Sequence, residues 1–422
     1  MASQDDFEFL NSSVWLKYTQ ERYVPLEDIK YRLDALGIQK GDWPELKTKI
    51  HFFRKMGSIP LFLDSINKKF WFFLSDSINK KIHEIESRGN RLYDKIESHG
   101  SFKKEFFNNA AIEEAITSAI YEGANSTRSK AKALIASGDK PKNKDEWMLI
   151  NNYFAMKWIK EHYTLPISKE VILKVHKKVS ENTLEGDDAN FYGKFRDDVV
   201  YVGDHQGVEW NKITSSIDEV IKLTTNNPRY LHPLLKGILL HYFIGYIHPF
   251  FDGNGRTART LFYYKTIKNN LKFVELLSVS ANLKEHGKRY ERSFDQVKSN
   301  DLDITYFIDF CLDSLIHAVN RVEKKVNYLI DISCLQEKHK LKGNQISLLQ
   351  RMALHKFVSV SINSYAAEIG KSREIARREL KMLLTLEFLI EKKVGKKFVY
   401  YINSPKLKVS VKKELELRKT GT

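Results

Sequence analysis

Twelve residues between two helix-like stretches gather the groups that phosphate chemistry needs: His248-Pro-Phe-Phe-Asp-Gly-Asn-Gly-Arg-Thr-Ala-Arg259. Gly253 and Gly255 flank Asn254 just ahead of a helix start, so backbone N–H groups there can point outward with no Cβ in the way. A helix N-terminus entered through such a loop is an anion site, most naturally for phosphate. Arg256 and Arg259 are three apart on the new helix and share a face beside that N-terminus. Positive charge is mildly unfavourable at the start of a helix dipole, so two arginines there point to a polyanion between them. Asp252 is a lone hard-oxygen ligand suited to an Mg²⁺ ion that bridges phosphates. His248 is the nearby side chain able to take a proton at neutral pH. Fragments of the run are ordinary: Gly-Asn-Gly alone is a common turn, and His248 alone can cap the preceding helix. Base, metal carboxylate, phosphate cradle and two arginines in one loop are a narrower combination, with Phe250 expected to turn inward and pin it.

The elements that must position this loop read mostly as helices. Leu235, Ile238, Leu239, Tyr242, Phe243 and Tyr246 fall at the spacing of one buried stripe after Pro233, which suits a first helical turn. Pro249 predicts the stop, because the residue before a proline is pushed out of the helical region. A second helix is expected from about Arg256 to Asn270, with others over 146–162, 168–179 and 280–340. Helical spacing also runs from about Phe102 to Glu122 and ends at Gly123, a residue suited to the left-handed closing turn. The period changes at 195–203. There Val199, Val200, Tyr201 and Val202 predict a short strand, part of a hairpin turning through 203–207. Such an island serves as a lid on a site or as a packed edge. Residues 1–100 read as short helical pieces with a loop at 41–44. Within them Asp-Ser-Ile-Asn-Lys-Lys occurs at 64 and again at 76, an echo too short for a solenoid.

Composition bounds the class. A chain of 422 residues has room for roughly two to four domains. With 42% hydrophobic and 12% aromatic residues it is not globally disordered. Two cysteines, Cys311 and Cys334, fit a reducing compartment with no cross-link. The N-terminus is acidic and polar where a signal peptide is basic and then apolar. The aromatic patch at 70–74 falls far short of the ~20 apolar residues of a bilayer span. A soluble cytoplasmic protein without a membrane partner is expected. The net charge is +16, yet it is not spread evenly: residues 335–422 hold 20 Lys and Arg against 8 Asp and Glu.

That basic segment predicts helices at 345–354, 365–369 and 373–386, then strands at 389–393 and 398–402. The order resembles a winged helix–turn–helix. Ile375, Leu380, Leu383 and Leu384 are expected to bury one face of the third helix, and Ser372 to cap it. Arg373, Arg377 and Lys381 form a cationic stripe on it, while Lys392, Lys393, Lys396 and Lys397 crowd the hairpin. Double-stranded DNA is the expected partner, with protein contacts or dimerisation as the other use of such a surface.

The loop His248–Arg259 resembles the Fic motif, His-Pro-Phe-x-Asp/Glu-Gly-Asn-Gly-Arg-x-x-Arg, at every defined position. The likeness extends loosely over about 102–320. It implies a mainly α protein: a helical N-terminal region (1–100), a Fic core with a short β-hairpin flap (101–335), a winged helix–turn–helix (343–404) and a basic tail (405–422). It further implies transfer of AMP from ATP to a Tyr, Ser or Thr hydroxyl of a target protein, which the flap would hold. His248 would be the base, and Asp252 would bind Mg²⁺. Gly253, Asn254, Gly255 and Arg256 would cradle phosphates, Arg259 would hold the γ-phosphate, and Tyr290 would line the adenine pocket. The related Doc-like branch, which phosphorylates, carries a lysine where this chain has Gly255. Upstream, Ser118-Ala-Ile-Tyr-Glu122-Gly123 resembles the family's inhibitory motif, in which the glutamate pairs with the last arginine of the loop; on its own it is also an ordinary i,i+4 pair. De-adenylylation, or a DNA-binding regulator that uses the fold as a nucleotide sensor, are the alternative functions. Self-assembly into a homo-oligomer stays open.

Overall fold

Helices dominate, and each of the three sheets has only two strands. The computed structural model describes residues 4–99, 103–355, 359–395 and 397–420. Phe102 and Lys396, named above at a helix start and in a hairpin, lie outside them. The chain divides into two units, one of residues 1–90 with 111–319 and one of 91–110 with 320–422. These divisions do not coincide with the sequence-based boundaries at 100 and 335.

In the first unit the helix Pro233–Ile247 is the centre. It was expected to be amphipathic. Instead Leu234, Leu235, Ile238, Leu239, Leu240, His241, Tyr242, Phe243, Ile244 and Ile247 are all buried, so every face is covered, while Tyr246 is only half-buried. The helix Asn254–Lys268 packs on it so closely that a Cβ at Gly237 would meet Thr266 Cγ2 at 2.7 Å. Its start at Asn254 precedes the expected one by two residues. The helices Lys144–His162 and Lys169–Val179 begin at the side-chain caps Asn143 and Ser168.

Residues 1–100 are not helical pieces alone. Strand β1 (Ile59–Leu63) pairs antiparallel with β2 (Lys68–Phe72). Burial alternates along β1, with Ile59, Leu61 and Leu63 inside and Pro60 and Phe62 outside, the period of a strand. The ring of Phe70 on β2 lies 5.2 Å from Phe243 and 5.0 Å from Tyr246, so this hairpin buttresses the central helix. Its far side joins the chain after 300, where Ile304 N donates to Trp71 O at 2.8 Å. The repeated hexapeptide takes two shapes. At 64–69 it forms a turn with Asn67 left-handed (φ 49°) and enters β2; at 76 it opens the helix Asp76–Ser98.

The flap strand is shorter than expected. Only Tyr201 and Val202 are strand (β3), paired with His205 and Gln206 (β4); Val199 and Val200 precede the ladder. The turn closes after two residues because Gly203 is left-handed (φ 55°).

In the second unit, helices Gly343–Leu354, Ile362–Ile369 and Arg373–Thr385 are followed by β5 (Leu389–Val394) and β6 (Lys397–Ile402). Val360 bridges to Tyr400. Ser372 caps the third helix, accepting from Ile375 N. Its buried face is Ala376, Glu379, Leu380 and Leu383; Ile375 and Leu384 are only half-buried. Glu379 is tolerated inside because Tyr365 Oη donates to it at 2.8 Å and Lys342 Nζ lies at 3.2 Å. The tail after 404 is a helix, Ser404–Thr420. Cys311 and Cys334 are free thiols, both buried. Among the described residues no helix is long and apolar enough to cross a membrane.

Candidate active site

His248 caps the helix Pro233–Ile247 in the left-handed region (φ 52°, ψ 58°), donating its N–H to Ile244 O at 3.1 Å. The stop expected before Pro249 is made by this left-handed residue, which lies outside the helical region. A non-glycine residue there costs about 1–2 kcal/mol, which the surroundings must offset. Nδ1 lies 3.3 Å from Gly245 O. A carbonyl only accepts, so Nδ1 carries the proton and Nε2 keeps a lone pair. Burial lowers the His248 pKa to about 4, against the opposing pull of the Gly245 carbonyl and of Glu122. The imidazole is therefore neutral near pH 7 and able to accept a proton.

The loop is rigid for identifiable reasons. Phe250 is buried, its ring stacked on His176 at 3.7 Å with an interplanar angle of 1°. His176 Nε2 donates to Asp252 O at 3.0 Å. Asn254 is a clip: its Oδ1 accepts from Phe250 N (2.9 Å) and its Nδ2 donates to Phe250 O (2.7 Å). Its side chain thus braces the loop and is not offered to a ligand. Gly253 is left-handed (φ 81°), and the helix it precedes has no side-chain cap. The first N–H groups of that helix are left without an internal acceptor, as an anion site requires.

The two arginines do not face a shared space, as their spacing had suggested. Arg256 is buried; its Nη1 donates to Val179 O (2.7 Å) and its Nη2 to Asp252 Oδ2 (3.1 Å). It acts as a brace for Asp252. Arg259 is also buried; Nε donates to Ser118 Oγ (3.0 Å) and Nη2 to Glu122 Oε1 (2.7 Å). Its Nη1 has no hydrogen-bond partner. A Cβ at Gly255 would meet Glu122 Oε1 at 2.3 Å and Arg259 Nη1 at 3.0 Å. The Glu122 carboxylate therefore rests directly over the opening of the helix. Gly255, expected to leave that space clear, leaves it to Glu122. Ser118 and Glu122 belong to the end of the helix Lys103–Tyr121, closed by Gly123 at φ 97°.

Asp252 offers a carboxylate whose side chain is 41% exposed, with Oδ1 accepting from Gly253 N at 2.5 Å. Among the described residues no group of three or more acidic, His or Cys side chains gathers around a metal position. One hard carboxylate fits a magnesium ion whose other ligands are nucleotide phosphates and water, and no fuller protein cage. Tyr290 packs edge-on to Tyr121 (5.9 Å) and Phe294 (5.3 Å), and its hydroxyl meets His241 Nε2 at 3.0 Å. It sits in an aromatic cluster with its polar end engaged, which gives the adenine role no support. Val199, Tyr201 and Val202 are exposed.

Residues 166–265 match the Fic/DOC family model. That stretch is similar to a Fic domain. The protein adenylyltransferase Fic of Nematostella vectensis is 35% identical over 98 residues, 22% of either chain. That of Drosophila yakuba is 28% identical over 195 residues, 43% of this chain and 37% of the relative. The chain thus spans well under half the length of these curated relatives. A crystal structure of a Fic family protein from Desulfovibrio desulfuricans G20 shares the fold, with 16% identity and a TM-score of 0.54 over 79% of this chain and 97% of the other.

Sequence reasoning missed two residues that shape this site. His176 was legible as the polar member of an apolar stripe with Ile172, Val175 and Val179. Arg196, buried behind the flap, had no local signal.

Proposed function

We propose that this chain is a Mg²⁺- and ATP-dependent protein adenylyltransferase held back by Glu122. One observation carries the reading: a neutral imidazole with a free Nε2 lone pair ends one helix, and an uncapped helix N-terminus begins six residues later. The names of the related proteins support it. In the reaction the target hydroxyl oxygen attacks the α-phosphorus of ATP while Nε2 of His248 takes its proton. The bond from the α-phosphorus to the bridging oxygen breaks, and pyrophosphate leaves. Phosphoryl chemistry of this kind asks mainly for positioning and charge neutralisation. The backbone N–H groups at 254–256 meet the phosphates, Arg259 meets the γ-phosphate once Glu122 withdraws, and Asp252, braced by Arg256, would hold a magnesium ion. Magnesium bound there supplies positive charge to the α- and β-phosphates. The exposed β3–β4 hairpin suits a target segment that pairs by backbone hydrogen bonds and presents Tyr, Ser or Thr. With ATP labelled at the α-phosphate, label becomes bound to protein; with ATP labelled at the γ-phosphate, none does. The opposite pattern means phosphorylation and overturns the reading.

A second activity is supported by the other unit. Arg373, Arg377 and Lys381 are all exposed, one helical turn apart on the capped helix Arg373–Thr385, ahead of the lysine-bearing β5–β6 hairpin. Such an exposed cationic stripe beside a basic hairpin would suit a winged helix that meets duplex DNA. Binding to a mixed-sequence duplex is expected to weaken steeply between low and physiological salt. Binding that ignores salt, or that survives charge removal at all three positions, excludes it.

A further inference from the structure

The last carbonyls of a helix have no partner within it. Where Pro233–Ile247 ends, the four successive carbonyls of residues 246–249 are taken up by one other piece of chain. Tyr246 O accepts from His205 Nε2 at 2.7 Å, and Ile247 O accepts from Val208 N at 3.1 Å. His248 O accepts from Arg196 Nε at 2.8 Å, and Pro249 O from Arg196 N at 3.0 Å. Every one of these donors lies between 196 and 208, the segment that forms the flap. Arg196 is the hub. It is buried and spreads its fork over backbone carbonyls: His248 and Ile247 on the helix end, Asp198 and Val208 at the two feet of the flap. A planar guanidinium with five donors can span such a set; an ammonium cannot. Its charge also complements the negative end of the helix dipole.

We infer that Arg196 is a positioning residue that locks His248 in its left-handed cap and holds it in register with the flap. The inference rests on the reading of His248 as the base. Because one side chain grips both the residue that takes the proton and the feet of the flap that would hold the target, loosening it separates the two reacting partners. It leaves the phosphate cradle at 253–259, which Asn254, His176 and Arg256 brace independently, as it was.

The test uses the full chain carrying Glu122→Gly, with and without Arg196→Lys. The lysine keeps the charge and loses the fork. Transfer of AMP at saturating ATP is expected to fall on the order of 100-fold, as for a reacting group displaced by about 1 Å. The dissociation constant for ATP is expected to stay within about twofold, because the cradle is untouched. The ¹⁵N resonance of His248 Nδ1 is expected to move, reporting loss of its bond to Gly245 O. A merely structural role lowers the number of ATP sites and transfer together and leaves that resonance in place. Unchanged transfer with an unchanged resonance overturns the inference. If Arg196→Lys does not fold, Arg196→Gln decides, since its planar amide keeps two donors and loses the rest of the fork. If the parent with Arg196 intact transfers no AMP, the adenylylation reading fails, and the resonance alone still decides whether Arg196 holds His248.

Discussion

Glu122→Gly is expected to raise AMP transfer roughly 100-fold, about 3 kcal/mol in the free energy of productive ATP binding. Two costs that the wild-type chain carries disappear with the carboxylate. The first is the ion pair: Glu122 Oε1 lies 2.7 Å from Arg259 Nη2, and the arginine side chain is only 3% exposed. The second is repulsion, since a γ-phosphate brought to Arg259 meets the Glu122 carboxylate over Gly255. Two like charges 4 Å apart near a protein surface repel by about 4 kcal/mol. Glu122, with 23% of its side chain exposed, can swing aside and recover part of that cost, hence the smaller figure. The same change leaves Arg259 buried without its carboxylate, so the variant without nucleotide should melt at a lower temperature. Added Mg²⁺ and ATP should then raise its melting temperature more than they raise that of the wild type. Glu122→Gln removes the charge and keeps the shape, and should reproduce most of the gain. Equal transfer by all three proteins, with equal thermal shifts, would falsify the brake.

His248→Ala in the Glu122→Gly background should lower transfer by about 10²–10⁴-fold, the usual worth of a positioned general base. Affinity for ATP should be kept, since no contact of the phosphate cradle passes through the imidazole. The pH profile follows from the same group. His248 acts when neutral, and burial holds its pKa at about 4 in the free protein. A depressed pKa extends the neutral form downward in pH, so kcat/KM should stay level from pH 8 through 6 and fall only as the solution approaches that value. An unperturbed histidine would begin to lose activity already near 6.5. Transfer by His248→Ala within about threefold of its parent would remove the imidazole from the mechanism.

The candidate site was legible because its chemistry is compressed into twelve consecutive residues, and local sequence carries that much. What each residue does there was legible only in part. Asn254 and Arg256 look like phosphate ligands by type, yet their side chains are spent on Phe250, Val179 and Asp252. Buried donors and acceptors must be satisfied, and the nearest partners decide which. The pairing of Glu122 with Arg259 was expected from the motif at 118–123. Its distance, and the carboxylate's place over Gly255, come from the packing of two helices far apart in sequence. The hairpin at 59–72 escaped notice because the outward residues of β1, Pro60 and Phe62, are themselves apolar, and Lys68, Lys69 and the aromatic run of β2 show no alternation.

Local order alone determined where most helices lie, which residues cap them, and that one loop could cradle a triphosphate tail. Those features depend on contacts three or four residues apart, which any isolated stretch of chain already contains. The tertiary structure decided the rest. Asp-Ser-Ile-Asn-Lys-Lys is a turn entering a strand at 64 and a helix start at 76, so six identical residues hold no preference strong enough to outvote their surroundings. The central helix is buried all round because the helix Asn254–Lys268, the hairpin at 59–72 and the rings of Phe294 and Phe307 close over it, whatever its own periodicity. Arg196 acquires its place only when the flap folds onto the helix end some fifty residues later. Hydrogen bonds over such separations form only after the backbone has been brought together, and no local pattern records them.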